Sequence, residues 1–238
     1  MPTPDSPVLE FQSVGKSFGP AIALNSISCA VDRGQFVTLF GPNGAGKTTL
    51  VRLAATLARP THGTVLLFGK DVRNGSPALR RRIGVVSHRS FLYPELTARE
   101  NLRFFARLFD PEGADDRVIE AARAVGLEDR LDDAVGTFSR GLEQRCSIAR
   151  ALVHAPDVLF LDEPYAGLDP VAAATLTRLL RQAHQAGTTV LVTSHDLGRG
   201  ADLADCVGIL DRGALRYWGA PPTDLAAVYE DAVQGSIT

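Results

Sequence analysis

Short apolar segments alternate with longer stretches of helical periodicity along the 238-residue chain. Residues 8–14 and 27–31 predict two early strands, with a turn over residues 15–20 between them. Further strands are predicted at 36–40, 65–68, 83–86, 158–161 and 189–193, and helices at 47–57 and 170–186. Near the end of the chain, Asp211, Arg212 and Gly213 predict a hairpin turn. Strands that alternate with helices in this way indicate an α/β fold with a mostly parallel sheet.

The middle of the chain is helical in character from residue 97 to about residue 155. Thr97 and Glu100 form a capping-box pattern, and Leu102, Phe105 and Phe109 follow at helical spacing. We therefore expect one domain over residues 1–238, with a helical subdomain at approximately 88–155 inserted into the α/β core.

The composition is that of an ordinary globular protein, because 45% of the residues are apolar and 22% are charged. This balance excludes a disordered chain. The formal net charge of −2 argues against a dedicated nucleic-acid-binding protein, so we expect no nucleic-acid partner. Three widely spaced cysteines without a CxxC pair exclude a zinc ribbon. No apolar run approaches the 18 or so residues that span a bilayer, so a membrane role would require a partner.

A glycine-rich loop follows the predicted strand at 36–40 and fits the pattern G-x-x-x-x-G-K-[ST]. Glycines let the backbone curl around phosphate oxygens, and the helix that follows adds partial positive charge. Lys47 would supply a full charge to the β- and γ-phosphates, and the Thr48 hydroxyl would bind Mg²⁺. The predicted phosphate-binding residues are Gly41, Pro42, Asn43, Gly44, Ala45, Gly46, Lys47, Thr48 and Thr49. An ordinary glycine turn is the alternative.

Two carboxylates, Asp162 and Glu163, end the apolar strand predicted at 158–161. Ligands of parallel sheets gather at the carboxyl ends of the strands. Asp162 would hold Mg²⁺ there, and Glu163 would orient or deprotonate an attacking water. A surface turn with two solvated acids is the alternative.

Three later segments resemble motifs of the ATP-binding cassette (ABC) ATPases. Residues 138–145 (FSRGLEQR) resemble the signature usually written LSGGQxQR, residues 166–169 (AGLD) look like the D-loop, and residues 193–196 (TSHD) look like the switch-histidine segment. The resemblance covers nearly the whole chain. It implies an ATP-hydrolysing enzyme that uses ATP and Mg²⁺. The implied fold is a RecA-like P-loop core with an antiparallel β subdomain at the N-terminus and the inserted helical subdomain.

The resemblance also implies roles for single residues. Members of the family work as head-to-tail dimers that hold two ATP molecules between the subunits. Ser139 and Gly141 would contact the γ-phosphate bound by the other subunit's glycine loop, and Asp169 would link the two sites. His195 would sense the γ-phosphate and support Glu163, so these two are the predicted catalytic residues. A place in the protein core is the alternative for His195.

Some positions depart from the family pattern, and one role is assigned on the evidence of a single residue. Phe18 stands where the family has an aromatic that stacks on adenine, with a core aromatic as the alternative. His88 stands where the family has a glutamine that reaches Mg²⁺ and water, so it is either a metal-site residue or a bystander. Arg140 replaces the first signature glycine and Leu142 replaces the glutamine; we expect ATP-driven closure to survive both changes.

Residues 87–97, 100–109 and 138–145 look similar to the heme-exporter ATPases of cytochrome c maturation. That similarity implies a subunit bound to a multi-span permease at the cytoplasmic face of the inner membrane. It also implies a homodimer, or a heterodimer with a related ATPase, when ATP binds. ATPases of drug, lipid or ion exporters share most of these features and remain alternatives, as does a soluble iron–sulfur assembly ATPase.

Overall fold

Two β-sheets organise the fold, and the computed structural model describes residues 6–74, 76–87, 90–109 and 112–235. The strands are β1 (Leu9–Phe18), β2 (Ala21–Val31), β3 (Phe36–Phe40), β4 (His62–Leu67), β5 (Lys70–Asp71), β6 (Ile83–Val86), β7 (Val158–Asp162), β8 (Thr189–Ser194), β9 (Cys206–Asp211) and β10 (Ala214–Gly219). The helices are α1 (Lys47–Ala54), α2 (Pro77–Arg80), α3 (Ala98–Phe109), α4 (Ala114–Val125), α5 (Arg140–Leu152), α6 (Pro170–Gln185) and α7 (Leu225–Gln234). Within these ranges, every helix is too short or too polar to cross a bilayer.

The larger sheet has the strand order β10-β9-β3-β8-β7-β6. Its strands are parallel except for β10, which forms an antiparallel hairpin with β9. Every residue of β3, β7, β8 and β9 is buried, as expected for a parallel sheet that is covered on both faces. The predicted α/β class, the parallel core and the hairpin are confirmed.

The register of the larger sheet places three strand ends side by side. Phe40 of β3 lies opposite Ser194 of β8, and Asp162 of β7 lies opposite Thr193 of β8. The segments that follow these strands therefore leave the sheet at the same edge. This edge is where a parallel sheet gathers its ligands.

The smaller sheet is antiparallel, with the order β2-β1-β4-β5. The predicted turn over residues 15–20 is wrong for most of its length, because β1 continues to Phe18, which pairs with Ala21. Only Gly19 and Pro20 remain for the turn. Gly15 packs closely in the strand interior, where a Cβ would lie 1.9 Å from the His62 ring.

The helices α3, α4 and α5 lie between β6 and β7 in the chain. The capping box before α3 is confirmed: Thr97 N donates to Glu100 Oε2 at 2.8 Å, and Glu100 N donates to Thr97 Oγ1 at 3.1 Å. Helix α1 ends at Ala54, earlier than predicted. The reason is that Thr56 adopts a left-handed φ of 61°, which a helix cannot contain.

Candidate active site

The glycine loop joins the carboxyl end of β3 to the first turn of α1, and its backbone requires glycine at two positions. Gly41 and Gly46 have φ angles of 155° and 107°. A Cβ would lie 2.2 Å from Leu210 O at Gly41 and 2.6 Å from Ala23 O at Gly46. Within the described ranges, no side chain caps α1. The N–H groups of its first turn are therefore available to an anion.

Lys47 lies over this loop as a buried cation, with only 6% of its surface exposed. Its Nζ donates to Gly41 O at 2.6 Å and to Pro42 O at 3.2 Å. The same Nζ lies 3.1 Å from Glu163 Oε1, which makes an ion pair. Lys47, which the loop pattern assigns to the phosphates, thus contacts two carbonyl oxygens of the loop and the carboxylate of Glu163.

Asp162, the last residue of β7, is buried and accepts two hydroxyl hydrogen bonds at one oxygen. Thr48 Oγ1 lies 3.0 Å from Asp162 Oδ1, and Thr193 Oγ1 lies 2.9 Å from the same atom. Carboxylate and hydroxyl oxygens are ligands that suit Mg²⁺. No cluster of three or more His, Cys, Asp or Glu side chains that could hold a metal occurs in the described ranges. A bound Mg²⁺ would therefore rely on Thr48, Asp162, phosphate oxygens and water.

Glu163 and His195 form a direct pair beside the loop. His195 Nδ1 lies 2.8 Å from Glu163 Oε2, while Lys47 occupies the other carboxylate oxygen. The His195 side chain is 54% exposed, so the alternative of a core histidine is wrong. Glu163 has a left-handed φ of 50°, an uncommon conformation for a residue with a side chain. The arrangement places a cation and an imidazole each within hydrogen-bonding reach of one carboxylate, that of Glu163, at the sheet edge.

The segment that resembles the signature lies at the N-terminus of α5. Ser139 is exposed and caps the helix, with its Oγ accepting from Leu142 N at 3.4 Å. A Cβ on Gly141 would meet no atom within 4 Å, so this residue faces open space. Arg140 lies against Gly167, where a Cβ would come within 2.6 Å of the Arg140 Cζ. Neither Ser139 nor Gly141 lines the two cavities beside Glu163, as far as the described residues show.

Asp169 is the N-cap of α6 in its own chain. Its Oδ1 accepts from Val171 N and from Ala172 N, both at 2.9 Å. Val171, beside it, is one of the most exposed large apolar residues of the protein. These hydrogen bonds give Asp169 a capping role within its own chain. Its role in linking the two ATP sites of a dimer stays a prediction.

Phe18 ends β1 with 55% of its surface exposed, so the core-aromatic alternative is wrong. The Lys16 Nζ lies 4.8 Å from the centre of the Phe18 ring. The ring is therefore accessible for stacking, as the adenine role requires. His88, the predicted metal-site residue, lies outside the described residues.

A comparison with protein families decides the identity of the chain. Residues 24–166 match the model of the ABC transporter family. The chain belongs to this family. Its enzyme activity is therefore ATP hydrolysis.

Named relatives of this ABC ATPase are ATP-binding proteins of bacteria. It is 38% identical over 215 residues to the Nod factor export ATP-binding protein I of Burkholderia orbicola, covering 90% of this chain and 71% of that protein. It is 33% identical over 222 residues to the linearmycin resistance ATP-binding protein of Bacillus subtilis, covering 92% of this chain and 71% of that protein. A probable multidrug ATP-binding protein of Escherichia coli is 34% identical over 221 residues, which are 92% of this chain and 38% of that protein.

A solved structure shares the fold. A dimeric ATP-binding cassette in a post-hydrolysis state, bound to ADP and Pi, superposes with a TM-score of 0.83 at 26% identity. The match covers 91% of this ABC ATPase and all of that chain. The predicted P-loop core with its additional β-sheet and helices is thereby confirmed.

Sequence reasoning missed Thr193 as a member of the site. Its hydroxyl contacts both Asp162 and the backbone of Glu163. The available signal was a threonine directly after the apolar run at residues 190–192. The contact itself depends on the pairing of β7 with β8, which the sequence does not display.

Proposed function

We propose that this ABC ATPase powers an exporter for a lipid-like or drug-like molecule. The cluster of Lys47, Asp162, Glu163 and His195 at one sheet edge carries the ATP-hydrolysing part of the proposal. The names of the relatives, which include Nod factor export, multidrug and linearmycin resistance proteins, support the exporter part. The prediction of heme export finds no support in these relatives. It remains a second candidate, favoured only by the resemblance of residues 87–97, 100–109 and 138–145.

Hydrolysis begins when the triphosphate binds to the glycine loop. Phosphate oxygens replace the Gly41 and Pro42 carbonyls as partners of Lys47, and the ion pair of Lys47 with Glu163 breaks. Glu163 then accepts a proton from water as the water oxygen bonds to the γ-phosphorus and the bond to the ADP oxygen breaks. His195, 2.8 Å from Glu163 Oε2, keeps the carboxylate in place. Thr48 and Asp162 would hold Mg²⁺, which would supply positive charge beside the phosphates.

A second subunit, either another copy or a related ATPase, completes the site in this proposal. Ser139 is exposed at the N-terminus of a 13-residue helix, and Gly141, two residues later, has open space where a Cβ would lie. A helix N-terminus attracts anions through its unpaired N–H groups. These two residues are free to approach a γ-phosphate that the glycine loop of the other subunit holds.

The membrane partner would dock into an aromatic groove next to β6. The groove has a volume of about 530 Å³, and its lining includes Phe91, Tyr93, Phe104, Phe105 and Phe109. Phe91, Tyr93 and Phe104 are each 46% exposed, and such a cluster of aromatic side chains is unusual on a solvent-exposed surface. An apolar groove of this kind fits the apolar face of a helix.

The charges of the groove indicate which helix fits. Its lining contains the cations Arg80 and Arg150 but no carboxylate among the described residues. The Arg150 guanidinium is buried beside the rings of Phe91 and Phe105, and this burial lowers the pKa of Arg150 to about 10. We therefore propose that the occupant is an amphipathic helix of the permease that carries an acidic residue.

Co-purification from native membranes tests the docking proposal. Phe104→Glu in the tagged chain should abolish recovery of a multi-span membrane protein that wild type retains. Ile22→Glu is the matched control, because Ile22 is also exposed, at 67%, but does not line the groove. Equal recovery with wild type and Phe104→Glu would contradict the docking site.

Gel filtration with ATP tests the enzyme proposal. Glu163→Gln should bind ATP without turnover and elute as a dimer, whereas Lys47→Ala should remain a monomer. A Glu163→Gln protein that stays monomeric at saturating ATP would count against the proposal. Gene deletion separates the cargoes: normal c-type cytochromes with increased drug sensitivity would favour the drug or lipid exporter and reject heme export.

A further inference from the structure

We propose that Thr193 is a positioning residue that locks Asp162 and Glu163 in their relative places for hydrolysis. The inference rests on the proposed ATPase site, because it concerns the same two carboxylates. Thr193 lies one residue before the end of β8 and is completely buried. The preceding residues Val190, Leu191 and Val192 are apolar and fill the core, so Thr193 is where the strand turns from apolar to hydroxyl side chains.

The hydroxyl of Thr193 has two hydrogen-bond partners, the side chain of Asp162 and the backbone of Glu163. Thr193 Oγ1 donates to Asp162 Oδ1 at 2.9 Å and accepts from Glu163 N at 2.9 Å. The directions follow from chemistry, since an ionised carboxylate can only accept and a backbone N–H can only donate. The single hydroxyl hydrogen is therefore committed to Asp162, and a lone pair is committed to Glu163.

The contact with Glu163 acts on a strained backbone. Glu163 has a φ of 50°, and a left-handed conformation is unfavourable for a residue with a side chain. Such a conformation persists only where the surrounding structure holds it. Thr193 supplies a hydrogen bond at the N–H of this residue, and the resulting backbone direction carries the side chain towards Lys47 and His195.

The contact with Asp162 extends the network to the glycine loop. Asp162 Oδ1 also accepts from Thr48 Oγ1 at 3.0 Å, so Thr193 is connected through one carboxylate oxygen to the start of α1. Removal of the Thr193 hydroxyl would leave Glu163 N without this acceptor and would let Asp162 rotate. A change of this kind affects the reacting geometry more than the binding of the nucleotide base and sugar.

Two variants separate the hydroxyl from the shape of the side chain. Thr193→Val keeps the volume and removes the hydroxyl, and Thr193→Ser keeps the hydroxyl. Thr38→Val is the matched control, because Thr38 is equally buried in the adjacent strand β3 and its Oγ1 donates to Gly200 O at 2.8 Å, outside this network. Should Thr193→Val fail to fold, Thr193→Ala replaces it.

Two measurements are made on each variant. Steady-state assays give kcat and KM for ATP, and amide hydrogen exchange of the nucleotide-free protein reports on the Glu163 N–H. Thr193→Val should lower kcat roughly ten- to hundredfold while KM changes less than about threefold, the loss expected for a hydrogen bond to a charged group. Exchange at Glu163 should accelerate in the same variant. Thr193→Ser should restore both values, and Thr38→Val should change neither.

The outcomes are distinct. Wild-type kcat and wild-type exchange in Thr193→Val would overturn the inference, as would an equal loss of kcat in Thr38→Val. Failure of Thr193→Ser to improve on Thr193→Val would also overturn it. If wild type hydrolyses no ATP, the proposed function fails, but the exchange measurement still decides whether Thr193 holds Glu163.

Discussion

The ion pair between Lys47 and Glu163 predicts that Glu163→Gln binds ATP more tightly than wild type does. Glu163 Oε1 lies 3.1 Å from Lys47 Nζ, so the carboxylate and the incoming phosphates compete for one cation. The substitution removes this competition. It also removes the repulsion between the carboxylate and the γ-phosphate, which acts in the same direction.

The size of the effect follows from the distance. Coulomb's law at 3.1 Å gives about 5 kcal/mol at an effective dielectric constant of about 20 and about 1 kcal/mol in bulk water. Glu163 is partly solvated, with 25% of its side chain exposed, and the broken pair regains hydration. We therefore expect a net gain of about 1.4 kcal/mol, which is a tenfold lower Kd.

The assay is a titration with a fluorescent, non-hydrolysable ATP analogue, which keeps turnover out of the comparison. Glu143→Gln is the matched control, because Glu143 lines the cavity next to Glu163 and, among the described residues, makes no ion pair with Lys47. Its affinity should equal that of wild type. A Glu163→Gln protein with unchanged or weaker affinity would refute the competition between carboxylate and phosphate.

Three further predictions concern binding and stability. Lys47→Ala should weaken ATP binding by about 3 kcal/mol, roughly hundredfold, in the same titration, since it removes charge-assisted bonds to the phosphates; retained tight binding would refute the loop assignment. Phe160→Ala should lower the free energy of unfolding by about 3–5 kcal/mol in urea titrations, because Phe160 is fully buried in β7. The hydrogen bond from Arg82 lowers the pKa of Asp157, so this pair stabilises the fold above about pH 4 and loses its effect as the pH falls through the lowered pKa. Asp157→Asn should therefore cost up to about 1 kcal/mol at neutral pH, discounted for a partly exposed pair, and the difference from wild type should vanish in acid; a constant difference would contradict this account.

The elements that were predictable from the sequence are those with a strong local signal. The strand β3 is apolar apart from Thr38 and is followed directly by Gly41, and its bounds match the prediction at both ends. The capping box of Thr97 and Glu100 is local by nature, since its two hydrogen bonds join residues three apart. The glycine loop was predictable because close approach of the backbone to phosphate needs residues without a Cβ at defined spacing.

The missed features depend on long-range pairing. The outer part of β1 contains Gly15, Lys16 and Ser17, whose polar character resembles a turn, and only pairing with β2 reveals a strand. Thr193 reaches Asp162 because two strands pair 31 residues apart, and Lys47 meets Glu163 across an even longer separation. Such contacts depend on which strands pair and in which register, and local sequence patterns do not specify this pairing.

Mixing of two inactive variants tests most directly whether two chains build one ATP site. Lys47→Ala removes phosphate binding by the glycine loop of its chain. Gly141→Asp places a carboxylate at the N-terminus of α5, which should meet the phosphate bound by the other chain. A mixed dimer then has one intact site, made from the glycine loop of the Gly141→Asp chain and the α5 N-terminus of the Lys47→Ala chain. An equal mixture should recover up to about a quarter of wild-type ATPase activity, because half of the dimers are mixed and each has one working site of two. A mixture that hydrolyses no more ATP than its separate components would contradict the shared site.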